Sequence, residues 1–144
     1  MRNIFKVICK ECKGKCCKSK IFLTRKDVKR LREAGYKFKI RKKGAGFMML
    51  HKGKCPFLSE KGCVLPEKLK PFDCKLFPLA FKYENKQIKF FLNKKCPFID
   101  RIPKSWIRKT KKWALKELRN WNEEEKITYS KIIEKYPPSQ LIPV

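Results

Sequence analysis

Four cysteines stand within nine residues near the start of the chain, a density typical of a metal site. Cys9 and Cys12 are separated by two residues, as in a knuckle whose backbone N–H groups face the sulfurs around one ion. Cys16 and Cys17 are adjacent, and neighbouring side chains of an extended segment point to opposite sides. These two thiols therefore suit two different centres, or a cluster and a second role. Lysines flank the loop, and their charge favours the thiolate form that binds metal.

Four later cysteines extend the candidate ligand set. Two of them precede a proline, which stiffens the chain beside the sulfur, one follows a glycine, and one lies between two prolines. Eight sulfurs allow two four-cysteine zinc sites, or an iron–sulfur cluster with spare or redox-active thiols. The regular ferredoxin spacing is absent, so zinc or mononuclear iron is slightly favoured over an iron–sulfur cluster. The predicted metal ligands are Cys9, Cys12, Cys16, Cys17, Cys55, Cys63, Cys74 and Cys96.

The chemical state of these cysteines depends on the compartment. Residues 4–8 form an apolar run too short and too charged for a signal peptide, and no run approaches the length of a transmembrane helix. We therefore expect a cytoplasmic protein without membrane association, in which reduced thiols bind metal. The alternative is buried thiols or disulfides, which do occur inside hyperthermophile cells, and an even number of cysteines does not separate these cases.

The formal net charge of +26 predicts attraction to polyanions, so acidic protein or nucleic acid is the expected partner. However, the chain has 31 lysines and only 8 arginines, and the lysines are spread evenly. Nucleic-acid-binding proteins favour arginine and cluster their charge on one face. A habit of the whole proteome, as in hyperthermophiles, is therefore the alternative explanation. The sequence leaves the oligomeric state open.

The elements that must position the cysteines are short. Thr24 with Asp27 predicts a capping box at the start of a helix over residues 25–34, and Gly35 predicts its end. Alternating patterns predict strands over residues 3–8, 36–42 and 47–50, and a hairpin of residues 79–83 and 87–92. An irregular or helical turn over residues 66–71 would deliver Cys74.

The last part of the chain has a different pattern. Trp106, Trp113, Leu118 and Trp121 recur at helical spacing, and Asn122 precedes three glutamates as at a helix start. We predict a broken helix or helical hairpin over residues 104–136, with the tryptophans in its core. The expected fold is α+β: a small cysteine-rich, metal-centred domain with short strands and one or two helices (residues 1–103), followed by a C-terminal helical segment (residues 104–144).

The order and spacing of these residues resemble the YkgJ-type cysteine-cluster family of zinc- or iron-chelating domains. The family pattern is C-x-x-C-x-x-x-C-C, a Leu-Thr…Asp…Arg-Leu helix start, C-x-[FY]-L, a Gly-Cys pair and Arg-Pro-x-x-C-R-x-[FY]-P. Matching segments occupy roughly residues 9 to 98, and they are Cys9–Cys17, Leu23–Leu31, Cys55–Leu58, Gly62–Cys63 and Lys70–Pro78.

The chain departs from this pattern at two places. Lys70 and Lys75 replace the usual arginines, and Val64-Leu65 replaces Ile-Tyr. Lysine would hold an anionic ligand less well than a bidentate arginine. The resemblance implies metal chelation. A related cysteine cluster occurs in flagellin lysine N-methylases, where it is linked to an iron–sulfur cluster, but the remainder of such an enzyme is missing from this pattern.

Other chemistry has little support in the sequence. No Ser-His-Asp set is indicated, and the single histidine, His51, fits a surface position better than a ligand. No glycine-rich phosphate loop or carboxylate pair occurs. We interpret Asp27 as a capping residue and Asp73, beside Cys74, as a solvated carboxylate rather than a group that orients a ligand.

Three functional hypotheses follow. The first is a metal-chelating binding or accessory protein. The second is an iron–sulfur or redox enzyme component related to protein lysine N-methylation. The third is a zinc-stabilised nucleic-acid-binding module.

Overall fold

The structure is a computed structural model that describes residues 21–50, 53, 55–60 and 62–144. Helices and small antiparallel sheets occur in both halves, which confirms the predicted α+β class. The chain divides into two units, Met1–Lys75 and Leu76–Val144. The boundary after residue 103 was drawn from the change in composition, and it stays a prediction. The predicted strand over residues 3–8 lies outside the described residues.

The first unit contains a three-stranded sheet, a two-stranded hairpin and two helices. In the three-stranded sheet β1 pairs with β3, and β3 with β2, all antiparallel, so that β2 is an edge strand among the described residues. The elements are β1 (Phe22–Leu23), α1 (Arg25–Glu33), β2 (Lys39–Lys43), β3 (Gly46–Leu50), β4 (Leu58–Ser59), β5 (Gly62–Cys63), a 3-10 turn (Glu67–Leu69) and α2 (Phe72–Leu76).

Helix α1 begins and ends as the sequence predicts. Thr24 Oγ1 accepts a hydrogen bond from the Asp27 N–H, and Asp27 Oδ2 accepts one from the Thr24 N–H, each at 3.1 Å. Both side chains are buried, which confirms Asp27 as the capping acid. At the other end, Gly35 has a φ of +91°, and the Tyr36 N–H returns to the Leu31 carbonyl in a Schellman arrangement. Because Tyr36 belongs to this cap, β2 starts three residues later than predicted.

Gly46, the first residue of β3, lies against β1. A Cβ atom built there would meet the end of the Phe22 ring and would stand 2.9 Å from the Leu23 carbonyl oxygen. Real Cβ atoms do not approach so closely, and the backbone oxygen cannot rotate away. The position therefore needs glycine because of space, not because of its backbone angles.

We expect Gly46→Ala to destabilise the protein by about 1–3 kcal/mol, because the added methyl group forces β1 and β3 apart. Urea unfolding followed by circular dichroism would measure this loss. The same change in a Phe22→Leu background should cost less, because leucine lacks the ring atoms that the methyl group meets. Strictly additive losses in the double variant would contradict the proposed clash.

The second unit contains a three-stranded antiparallel sheet and two longer helices. The predicted hairpin forms around Asn85 and Lys86, which both have positive φ, as a type I′ turn requires. The predicted C-terminal helical segment forms two consecutive helices, and Asn122 caps the second of them. The elements are β6 (Leu79–Glu84), β7 (Gln87–Asn93), a 3-10 turn (Ile99–Arg101), α3 (Lys104–Leu118), α4 (Glu123–Glu134), a second 3-10 turn (Pro138–Gln140) and β8 (Leu141–Pro143).

The core of the second unit joins the hairpin to α4. Phe81 is fully buried and stacks on Tyr129, with ring centroids 4.2 Å apart. Trp121 meets both rings edge-on. The Tyr83 N–H also donates a hydrogen bond to Ser130 Oγ at 2.8 Å. Aromatic burial of this kind supplies much of the stability of a small unit.

Thr110, in the middle of α3, carries a buried hydroxyl. The residue is 1% exposed, and among the described residues its Oγ1 has no hydrogen-bond partner. A hydroxyl group removed from water without a partner costs free energy, whereas a methyl group of the same shape does not.

We therefore expect Thr110→Val to stabilise the protein by about 1 kcal/mol, since valine keeps the branched shape and has a similar helix propensity. The melting temperature should rise by roughly 2–4 °C. Thr128→Val is the matched control on α4, because this change removes a hydrogen bond. Thr128 Oγ1 donates to the Glu124 carbonyl at 2.9 Å. A fall in stability for Thr110→Val would show that its hydroxyl does have a partner.

Candidate metal centre

Two of the predicted ligands, Cys55 and Cys63, flank the β4–β5 hairpin. The Leu58 N–H bonds to the Cys55 carbonyl, which turns the chain just before β4. Leu58 is the register partner of Cys63, and the Val64 N–H closes the hairpin on the Phe57 carbonyl at 2.8 Å. The hairpin therefore returns Cys63 toward Cys55.

Cys55 lies inside the core of the first unit. It is 5% exposed, and its Sγ is 4.0 Å from Sδ of the fully buried Met49. Burial raises the pKa of the Cys55 thiol; the neighbouring Cys63 raises it further, while a hydrogen bond from the Phe57 N–H lowers it. Without a cation the buried thiol thus keeps its proton, and a bound metal would have to displace it. Cys63 is exposed.

Cys74 lies on α2 and packs against the same apolar cluster as Cys55. The cluster also contains side chains of β1, α1 and β3, so the third thiol is attached to the same rigid body as the first. Cys74 is partly exposed, and none of the four described cysteines forms a disulfide. Free thiols are the form that zinc or iron requires.

Asp73, beside Cys74, holds α2 against β1. Its Oδ2 accepts a hydrogen bond from the Phe22 N–H at 2.9 Å, and it is only partly exposed. Burial raises the pKa of this carboxyl to about 6, with a small upward contribution from Asp27 and an opposing one from the Phe22 hydrogen bond. The interpretation of Asp73 as a solvated carboxylate is therefore wrong. Its partner lies 51 residues away, and no local pattern indicates such a bond.

The remaining candidate residues are distributed as follows. Cys96 is buried in the second unit, where its N–H bonds to the Asn93 carbonyl. Cys9, Cys12, Cys16, Cys17 and His51 lie outside the described residues.

Within the described part of the chain, no three metal-binding side chains stand close enough together to hold an ion. The first unit provides Cys55 and Cys63, which the β4–β5 hairpin brings toward each other, and Cys74 on the same core as Cys55. The sequence analysis missed Met49, whose thioether contacts Cys55, because a methionine in an apolar strand pattern gives no indication of such a contact.

The sequence model of one protein family, CxxCxxCC, described as a putative zinc- or iron-chelating domain, matches residues 8–105. This span includes all eight predicted ligands. No curated protein and no solved structure matches the chain. In the described residues, the helices are too short or too polar to cross a membrane.

Proposed function

The chain belongs to the CxxCxxCC family of zinc- or iron-chelating domains, and we propose that it is a metal-binding accessory protein that holds zinc or a mononuclear iron through cysteine thiolates. Membership supports metal chelation in general. The kind of metal and the accessory role are the specific content of the proposal.

The β4–β5 hairpin, which brings Cys63 back toward the segment of Cys55, is the observation that carries the proposal. Two thiols that are not in disulfides, one before β4 and one at the end of β5, would supply half of a tetrahedral sulfur site. Cys74 is a further candidate ligand on the same core, and its neighbour Asp73 accepts a hydrogen bond from the Phe22 N–H of β1. Groups that orient a ligand in this way commonly strengthen metal binding.

Chain length allows the first cysteine loop to contribute the missing ligands. Cys17 precedes Phe22 by five residues. An extended chain of that length reaches at most about 18 Å. Phe22 is the residue to which Asp73 bonds. We therefore assign the first centre to Cys55 and Cys63 together with cysteines of the loop.

The residues of this centre would bind the cation and take part in proton release. The buried Cys55 thiol retains its proton in the metal-free protein and would release it when the metal binds. The affinity for the metal should therefore fall as the pH falls. When bound, the metal supplies a cross-link between segments distant in sequence. Thiols of this kind remain free in a reducing compartment, which supports the cytoplasmic assignment.

Metal analysis of anaerobically purified protein tests the proposal. We expect a stoichiometric content of zinc or iron without acid-labile sulfide. A brown protein with equal amounts of iron and labile sulfide would instead establish an iron–sulfur cluster. A protein that contains no metal and binds none after reconstitution would contradict the proposal.

A further inference from the structure

An open groove beside α1 in the first unit is lined mainly by cations. The cavity has a volume of about 640 Å³. Three basic residues of α1 line it, Arg25, Lys29 and Arg32, and Lys42 of β2 lines it from the sheet. All four side chains are exposed. The groove does not involve any of the predicted metal ligands.

The three helical cations lie on one face of α1. Positions 25, 29 and 32 are separated by four and three residues, which places side chains one above the other along a helix. With a rise of about 1.5 Å per residue, their origins are spaced about 6 and 4.5 Å along the axis. The groove therefore presents a row of positive charge rather than a single cationic point.

Little negative charge balances this row. Glu33 is the one acidic residue of the lining, and its Oε1 is 3.9 Å from Lys29 Nζ in an exposed pair of small energetic value. Arg25 and Lys42 form no ion pair with any residue that the structure describes. The Arg32 guanidinium lies over the Phe38 ring, 5.6 Å from its centroid, a contact that orients the group without neutralising it.

The floor of the groove is apolar and includes an aromatic ring. Phe47 of β3 is the register partner of Lys42 and is only partly buried, so its ring meets both the core and the groove. Val28 completes the floor. A basic groove with an aromatic ring at its base suits a polyanion that also carries flat apolar groups. Single-stranded nucleic acid has both features at every residue, whereas an acidic peptide without aromatic residues has only the charge.

We propose that the groove of Arg25, Lys29, Arg32, Lys42 and Phe47 binds single-stranded nucleic acid, with phosphates on the four cations and one base stacked on the Phe47 ring. Because the contacts are with the backbone and a ring face, binding is tolerant of sequence. The proposal is independent of which metal the protein holds.

Fluorescence anisotropy tests this proposal. The affinity of the full metal-loaded chain for a labelled oligouridylate is measured at several salt concentrations. Lys29→Ala with Lys42→Ala should weaken binding about tenfold at physiological salt and reduce the slope of log K against log salt by about 1.4. The matched control is Lys26→Ala with Lys37→Ala. Both control residues are exposed lysines of the same unit, outside the groove lining, and the net charge of the two double variants is identical.

The aromatic contact has its own test. Phe47→Leu retains an apolar side chain but removes the stacking face, and it should weaken binding about tenfold. Phe91→Leu is the control, since Phe91 is another partly exposed phenylalanine of a strand with a lysine over its ring. Melting curves would confirm that each variant is folded.

Three results would overturn the proposal. The first is equal weakening by the two double lysine variants, because net charge alone would then explain binding. The second is a combination of two findings: oligoglutamate competes as well as unlabelled oligouridylate, and Phe47→Leu leaves the affinity unchanged. This combination would identify an acidic peptide as the occupant. The third is no measurable binding at physiological salt.

Discussion

Cys63→Ser is expected to strip metal from the first unit without disturbing the metal-free fold. Cys63 is exposed, so serine loses no buried contact there. If the lost thiolate lowers metal affinity a hundredfold, the free energy of unfolding in the presence of metal falls by about 2.7 kcal/mol. For a chain of this length, this corresponds to a drop of roughly 5–10 °C in melting temperature. Elemental analysis and calorimetry would measure the two effects.

The control for this variant is the state without metal. After treatment with a chelator, Cys63→Ser and the parent protein should melt at the same temperature. Val64→Ser, a change at the next and also exposed position, should retain metal and stability in both states. If Cys63→Ser kept its metal, Cys63 would not be a ligand, and the assignment would pass to the remaining cysteines.

Phe81→Ala is expected to destabilise the protein by about 3–5 kcal/mol, whether metal is present or not. Phe81 is fully buried and contacts both Tyr129 and Trp121, so truncation leaves a cavity beside these two rings. Tyr129 is fixed on α4 and Trp121 lies just before it, so these rings cannot collapse fully into the space. Denaturant titration of the metal-loaded and metal-free protein would measure the loss in each state.

Phe91→Ala is the matched control for the core variant. Phe91 lies on β7 and is partly exposed, with Lys82 Nζ 5.1 Å from its ring centroid. Its truncation removes less buried area and should cost about 1–2 kcal/mol. A similar loss for both variants would show that the stacked rings contribute no more than ordinary apolar burial.

Local chemistry made several elements predictable from sequence. The capping box of Thr24 and Asp27, the stop at Gly35 and the cap at Asn122 depend on residues within a few positions of one another. The hairpin around Asn85 is of the same kind, because its turn residues tolerate positive φ. In each case the signal and the structure lie within one segment.

Features that depend on distant partners were not predictable. Strand β8 has three residues, one of them a proline, and forms only because β7 offers it a free side. Asp73 is partly buried because it accepts a hydrogen bond from the Phe22 N–H. Lys42 lines the groove only because β2 lies next to β3 in the sheet. The candidate site follows the same rule: its ligand types were evident, but the return of Cys63 toward Cys55 depends on the β4–β5 hairpin.

The composition of the edge strand β2 has a consequence for behaviour at high concentration. Its sequence is Lys39-Ile40-Arg41-Lys42-Lys43, and in the described sheet only one of its sides is paired. A second copy aligned along the open side would set ammonium and guanidinium groups opposite one another, which opposes strand addition. The protein is thereby protected against fibril-like association at this edge, and the protection weakens when salt screens the repulsion.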